Sequence, residues 1–247
     1  MIGPYPGATV VLDILTDLRN WYAREAAASA VDFHRDWSEW EPDTSREWLA
    51  KAADRKRDAA AAVGTAVHAW VAARACGEYA PPAPEIAGHG RQFDQFLADF
   101  NPTFVEVERA VFGDGYAGTF DMVCDIPGHG RLLVDIKTGK SVHPESVALQ
   151  LAAYRHAEFM PDPARVSMTP DHFYTFIGEP GVVAPEVPEV DGCAVLHLRP
   201  RSHRLIPITA GPDQHRTFLY ALQLWHHLRD ATALAGDPLT PTEEAAA

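Results

Sequence analysis

Two acids and a lysine between Gly118 and Gly139 are the residues of this chain best placed to do chemistry. The stretch opens Gly118-Thr119-Phe120-Asp121. After a glycine-bearing loop it closes Leu132-Leu133-Val134-Asp135-Ile136-Lys137-Thr138-Gly139. Joined as a hairpin, the two segments would bring Asp121 close to Asp135. Alternation along the second strand puts Asp135 and Lys137 on one face. Two carboxylates and one ammonium at close range suit a hard divalent cation and a negatively charged substrate. The carbonyl of Ile136 could supply a further oxygen, and Lys137 could orient water or offset charge on a phosphate. A surface hairpin with a solvated Asp–Lys pair is the plainer alternative. The apolar run that the two charges interrupt speaks against it.

Other residues could complete such a site. His68 lies in Gly64-Thr65-Ala66-Val67-His68, with Gly64 one helical turn before it. A glycine inside a helix costs about 1 kcal/mol relative to alanine, and a close approach by backbone or ligand beside His68 would offset that. By itself His68 reads as a packed core histidine; beside the downstream acids it reads as a ligand. Glu106 and Glu108 share a face of the preceding strand, and either could hold a metal or its water. Glu108 is preferred because it lies nearer Tyr116–Thr119 across the turn. Gln150 and Tyr154 are spaced i, i+4 on one helical face, where an amide and a phenol could meet a phosphate or a base edge. A helix with Leu149, Leu151 and Ala153 in the core and Gln150 in water fits the same spacing. Basic residues give weaker signals: Arg55-Lys56-Arg57, Lys140, Arg155, and the cluster Arg199, Arg201 and Arg204 could grip a phosphate backbone, or simply be solvated.

The elements that must position these residues follow from periodicity. Residues 7–35 read as helical. Residues 36–44 read as a loop, and caps at Asp43, Thr44 and Ser45 start a long helix to about Cys76. A further helix covers about 90–100. Strands are expected over 103–112, 116–126 and 131–137, then a helix from Pro144 to about Phe159 and a strand over His172–Ile177. Residues 178–191 read as a surface loop. Cys193–Arg199 and Arg204–Ile208 read as a hairpin, Gln214 to about Leu234 as the last helix, and 237–247 as a frayed tail. This order gives an α/β (α+β) domain: a mixed sheet flanked by helices.

The 247 residues carry a formal net charge of −13, which argues against nonspecific coating of nucleic acid but leaves room for a local site whose sign a bound metal reverses. No apolar run reaches membrane-spanning length and no leader is evident, so a cytoplasmic protein with no membrane partner is expected. The three cysteines, Cys76, Cys124 and Cys193, are widely separated. That disfavours a disulfide framework, a four-cysteine zinc site and a four-cysteine iron–sulfur cluster.

Taken in order, Gly64–His68, Glu108, Gly118-Thr119-Phe120-Asp121, Asp135-Ile136-Lys137-Thr138-Gly139 and Gln150-Leu151-Ala152-Ala153-Tyr154 resemble the RecB-like branch of the PD-(D/E)XK nuclease superfamily. The similarity spans about residues 7–160 and is closest to small stand-alone phage exonucleases, which are related to the CRISPR-associated RecB-type exonucleases. It implies a restriction-endonuclease-like core over 101–236 and a helical lobe over 1–100 that walls a DNA channel. It implies that His68, Asp121, Asp135 and the Ile136 carbonyl hold Mg²⁺ or Mn²⁺, that Lys137 is the catalytic lysine, and that Glu108 is a site acid. Gln150 and Tyr154 match the family's QxxxY element, which would contact DNA, with Lys140 and Arg155 nearby. Many CRISPR-associated relatives carry an iron–sulfur cluster on four cysteines; this chain has no such set, so no cluster is expected. The activity implied is metal-dependent exonucleolytic hydrolysis of linear DNA in phage-type recombination, replication or repair, with a recombination partner protein. A structure-specific endonuclease and a non-catalytic DNA-end-binding subunit are the rivals.

Overall fold

The computed structural model describes residues 2–15, 17–177, 185–229 and 236. The elements run β1 (Ile2–Pro6), α1 (Ala8–Leu12), α2 (Arg19–Asp32), α3 (His34–Trp37), α4 (Pro42–Ala50), α5 (Ala52–Ala75) and α6 (Ala87–Phe100). Then come β2 (Thr103–Gly113), β3 (Tyr116–Ile126), β4 (Gly130–Lys137), α7 (Pro144–Arg155), β5 (Val166–Met168), β6 (Phe173–Phe176), β7 (Gly192–Arg199), β8 (Ser202–Ile208) and α8 (Pro212–Arg229). A five-stranded sheet has the order β2-β3-β4-β7-β8, and a three-stranded sheet the order β1-β6-β5. β4 and β7 are parallel, and the remaining neighbours are antiparallel. The expected mixed α/β architecture is therefore the observed one.

Helices cover both faces of the five-stranded sheet, which explains why β4 and β7 read as near-continuous apolar runs. On one face α1, α7 and α8 bury Val11, Leu151, Phe218 and Trp225 against Val123, Leu133 and Val195. On the other, α5 and α6 bury Val67, Val71, Phe93 and Phe96 against Met122, Val134, Leu196 and Leu198. Each such side chain contributes about 1.5–3 kcal/mol when fully buried, so the sheet is clamped from both sides.

Several elements differ from the sequence expectation. The opening segment is a strand before it is a helix: β1 pairs with β6, and Gly7 bridges Ala117. That pairing partner lies far along the chain, so no local pattern announces it. The expected 43–76 helix breaks at Lys51, whose backbone (φ −86°, ψ 7°) leaves helical geometry between α4 and α5. Pro42 occupies the first turn of α4, and the Ser45 hydroxyl donates to the carbonyls of Trp37 and Glu41 instead of capping a helix start. α7 ends at Arg155 because Phe159 turns away to pair with Phe112, its ring stacked at 5.4 Å. Across residue 100, α1 packs on α7 and α8 and α6 packs on β7 and β8, contacts that suit the single integrated domain expected of the two parts. Residues 178–184 of the expected loop, the end of the last helix beyond Arg229 and the tail at 237–247 lie outside the described residues. No helix among the described residues is long and apolar enough to cross a membrane.

Candidate metal centre

The pairing of β3 with β4 runs from Ile126↔Gly130 to Met122↔Val134. Beyond it the strands part, and the Ile136 N–H donates to Asp121 Oδ2 at 2.5 Å. A backbone donor freed by the splay is thus satisfied by a carboxylate, which fixes that carboxylate at the opening. β3 also changes face here. Phe120 and Met122, two residues apart, should point the same way in a regular strand. Phe120 instead packs in the layer of α7 and α8, and Met122 in the layer of α5 and α6.

The partner strand is irregular at the matching place. Glu108 lies between Val107, opposite Met122, and Arg109, opposite Phe120, and its φ is +49°. A left-handed backbone costs a side-chain-bearing residue about 1–2 kcal/mol, and such outliers gather at functional sites. The turn in the strand lets Glu106 reach Arg109 at 2.6 Å, although residues three apart on a regular strand face opposite sides. Glu106 and Glu108 therefore do not share a face. Glu106 is held in an ion pair, and Glu108 points to the acids.

Helix α5 brings the imidazole. His68 Nδ1 lies 3.0 Å from Asp121 Oδ1. Ligand atoms of His68, Glu108 and Asp121 all fall within 4.8 Å of one another. His68 and Glu108 border a cleft of about 700 Å³, with Gly64, Thr65 and His172 among its lining residues. A Cβ at Gly64 would meet only Thr138 Oγ1 at 3.5 Å, an ordinary contact, so no close backbone approach explains that glycine. Its bare face borders the cleft instead.

Asp135 and Lys137 stand behind this group on the α7 side. Lys137 Nζ lies 2.9 Å from Asp135 Oδ2 and donates to Gln150 Oε1 at 3.2 Å. Gln150 Nε2 donates to Asp135 Oδ1 at 3.1 Å and to the Tyr154 hydroxyl at 3.2 Å. Asp135 is outside the three-residue group, but it lies within electrostatic reach of Asp121 and His68. Its Oδ2 is buried and accepts no well-aligned hydrogen bond, the Lys137 ammonium being an ion-pair neighbour only.

Gln150 and Tyr154 are buried, at 9% and 3% exposure. Gln150 bonds to Asp135, Lys137 and the Tyr154 hydroxyl, so this helix face meets the buried acid. Tyr154 packs so tightly over Gly118 that a Cβ there would fall 2.2 Å from the ring. Gly118 is needed for that approach. The expected DNA contact by Arg155 is not where the acids are. Its Nη2 donates to the Val190 carbonyl at 2.9 Å, and it lines a separate cleft with Glu158, Glu186 and Glu189. Lys140 is exposed just beyond β4. Among the other basic residues, Arg57 binds Tyr22, Asp54 and Asp58, and Arg199 donates to the Thr138 carbonyl.

The charge balance explains the titration behaviour. Burial pushes the Glu108 carboxyl up to about 7; nearby Asp121 adds to this and His68 opposes it. For His68, burial pushes the imidazole down, but the hydrogen bond to Asp121 and the charges of Asp121, Asp135 and Glu108 outweigh it, and the net shift is upward. Burial also raises Asp135, against the pull of Lys137. An excess of negative charge confined this way is relieved by a cation. One imidazole nitrogen and carboxylates from separate elements, with a buried carboxylate oxygen short of hydrogen bonds, fit a divalent ion.

Two residues near the centre carried no sequence signal. Tyr174, from β6, places its hydroxyl 3.2 Å from Thr119 Oγ1, and His172 lines the cleft. Both arrive through the small second sheet, whose pairings are long-range. No protein-family model matches the chain, and no curated protein does.

Proposed function

We propose that this chain is a divalent-metal-dependent deoxyribonuclease that degrades linear DNA from its ends. The observation that carries the reading is the convergence of His68, Glu108 and Asp121 from three elements, within 4.8 Å, beside the Asp135–Lys137 pair. The order of these residues along the chain, which resembles that of RecB-like nucleases, supports DNA as substrate.

In this reading His68, Glu108 and Asp121 hold Mg²⁺ or Mn²⁺, with Asp135 and the Ile136 carbonyl as the further oxygens the resemblance implies. The ion supplies Lewis-acid stabilisation of charge on the phosphoryl oxygens. The protein does the rest. Lys137, paired to Asp135, offsets charge on the phosphate oxygens as water displaces the leaving oxygen in line. Gln150 fixes both members of that pair through hydrogen bonds to each, and Tyr154 fixes Gln150. The ordered pair is in place before substrate arrives, so little reorganisation is required during reaction.

End-labelled linear duplex, incubated with Mg²⁺ and separately with Mn²⁺, tests the reading. The expected result is progressive shortening that chelator stops and that Asp135→Ala reduces at least about a thousandfold. Equal degradation by both proteins, or none with any divalent ion, overturns it. Closed circular and branched DNA run alongside separate an exonuclease from a structure-specific endonuclease, and DNA binding in chelator without cleavage would mark an end-binding subunit.

A further inference from the structure

A second cleft, of about 880 Å³, adjoins the one at the metal centre. His172 lines both, and so stands where they meet. The second cleft is bordered by Arg57, Phe173 and Arg229, and by Val10 and Leu18 on its apolar side. Its two guanidinium groups are in different states. Arg57 spends its donors on Tyr22, Asp54 and Asp58. Arg229 lies over two aromatic rings, its guanidinium carbon 4.7 Å from the Trp225 centroid and 5.5 Å from that of Phe173. Among the described residues no carboxylate pairs with it. A guanidinium over aromatic rings keeps its charge and retains N–H donors that can meet a phosphate.

We infer that this cleft is a nucleic-acid subsite in which Arg229, with His172 at its entrance, binds a phosphodiester of the strand whose neighbouring linkage lies at the metal centre. The inference rests on the nuclease reading and deepens it. Asp13, Asp58 and Asp171 also border the cleft, Asp58 paired with Arg57, so its charge is mixed. Selectivity for an anion comes from Arg229, which no carboxylate among the described residues pairs with, and Val10, Leu18 and Phe173 give a sugar or base an apolar wall. Arg229 touches neither the reacting linkage nor the metal ligands, so its part is to position the strand.

The test reads binding and cleavage separately. A short fluorescent duplex with a single-stranded overhang is titrated with the full chain in Ca²⁺ at several salt concentrations, and the same proteins are assayed for cleavage in Mg²⁺. Arg229→Ala is expected to weaken binding about tenfold and to reduce the slope of log affinity against log salt by about 0.7, the share of one single-strand phosphate. A single neutral methylphosphonate linkage, walked along the probe, should weaken binding by the unaltered protein at one position and have no further effect on Arg229→Ala. A merely structural role for Arg229 would not produce that position-specific loss. Arg229→Lys, which keeps charge without the stacked plane, should fall between the two proteins, with unchanged thermal melting confirming that it folds. If Arg229→Ala binds with unaltered affinity and slope while the unaltered protein still cleaves, the subsite is wrong and the nuclease reading stands. If the unaltered protein neither binds nor cleaves, both fail.

Discussion

Histidines occur in two quite different settings on the two faces of the central sheet. On the α5 side, His68 lies beside Asp121 and Glu108 with Asp135 within electrostatic reach, and although burial pushes its imidazole down, those carboxylates carry it upward. On the α7 and α8 side, His156 and His215 stack on each other, ring centroids 5.0 Å apart and planes 20° apart. The Tyr116 hydroxyl donates to the Ala153 carbonyl at 2.8 Å and lies 3.1 Å from His215 Nε2. Burial pushes both of these imidazoles down; Arg155 adds to the effect on His156, and His156 to that on His215. Burial alone therefore does not distinguish a ligand-like histidine from a packing one. The sign of the charge acting on the ring does: carboxylates raise His68, whereas burial and neighbouring cationic groups lower His156 and His215.

Substitution at the two sites should separate them most sharply. His68→Ala is expected to lower metal affinity, and with it cleavage at limiting metal, by about 10–100-fold. His215→Gln should leave the metal dependence unchanged. Mn²⁺ titrations followed by calorimetry and by cleavage measure both. Equal losses from the two variants would abolish the distinction.

Helix α7 links the regions, since Gln150 and Tyr154 face the acids while His156 closes the helix against α8. Gly118→Ala would drive a methyl into the Tyr154 ring. It is expected to destabilise the fold by about 1–3 kcal/mol and to disturb both faces together, seen as a lower denaturant midpoint with reduced cleavage. Unchanged stability would mean that the ring can move aside freely.

The smallest effect is in the pH dependence. His156 and His215 have folded values below 6.5, so the fold favours their neutral forms. The stability they contribute is full above pH 6.5 and is lost as pH falls through their folded values. Melting of the unaltered protein should drop more steeply below pH 6.5 than melting of His215→Gln, by a few degrees, at about 2–4 °C per 1 kcal/mol. Parallel curves would show that the stack carries no such coupling.

The strands bearing the acids, the hairpin β7–β8 and the helix carrying Gln150 and Tyr154 are legible from alternation and spacing, because each is a local pattern. So is the placing of Asp121 within electrostatic reach of Asp135, which follows from one hairpin. Long-range pairing is not legible. The partnership of β1 with β6, and with it the arrival of His172 and Tyr174 at the cleft, depends on residues more than half the chain apart. The surroundings of Gln150 and Tyr154 are not legible for a related reason: helical spacing shows that two side chains share a face, but not whether that face meets solvent or a buried acid. The choice of Glu108 over Glu106 turns on a backbone conformation that neither residue type announces.

That conformation has a consequence for how the protein can change. A left-handed position is most comfortable for glycine or asparagine, and here a glutamate occupies it. Relaxing residue 108 to glycine would ease the backbone while deleting an acid from the centre. Drift toward a sturdier molecule and retention of its chemistry thus pull in opposite directions at a single codon, and screens for heat resistance alone would tend to select inert variants there.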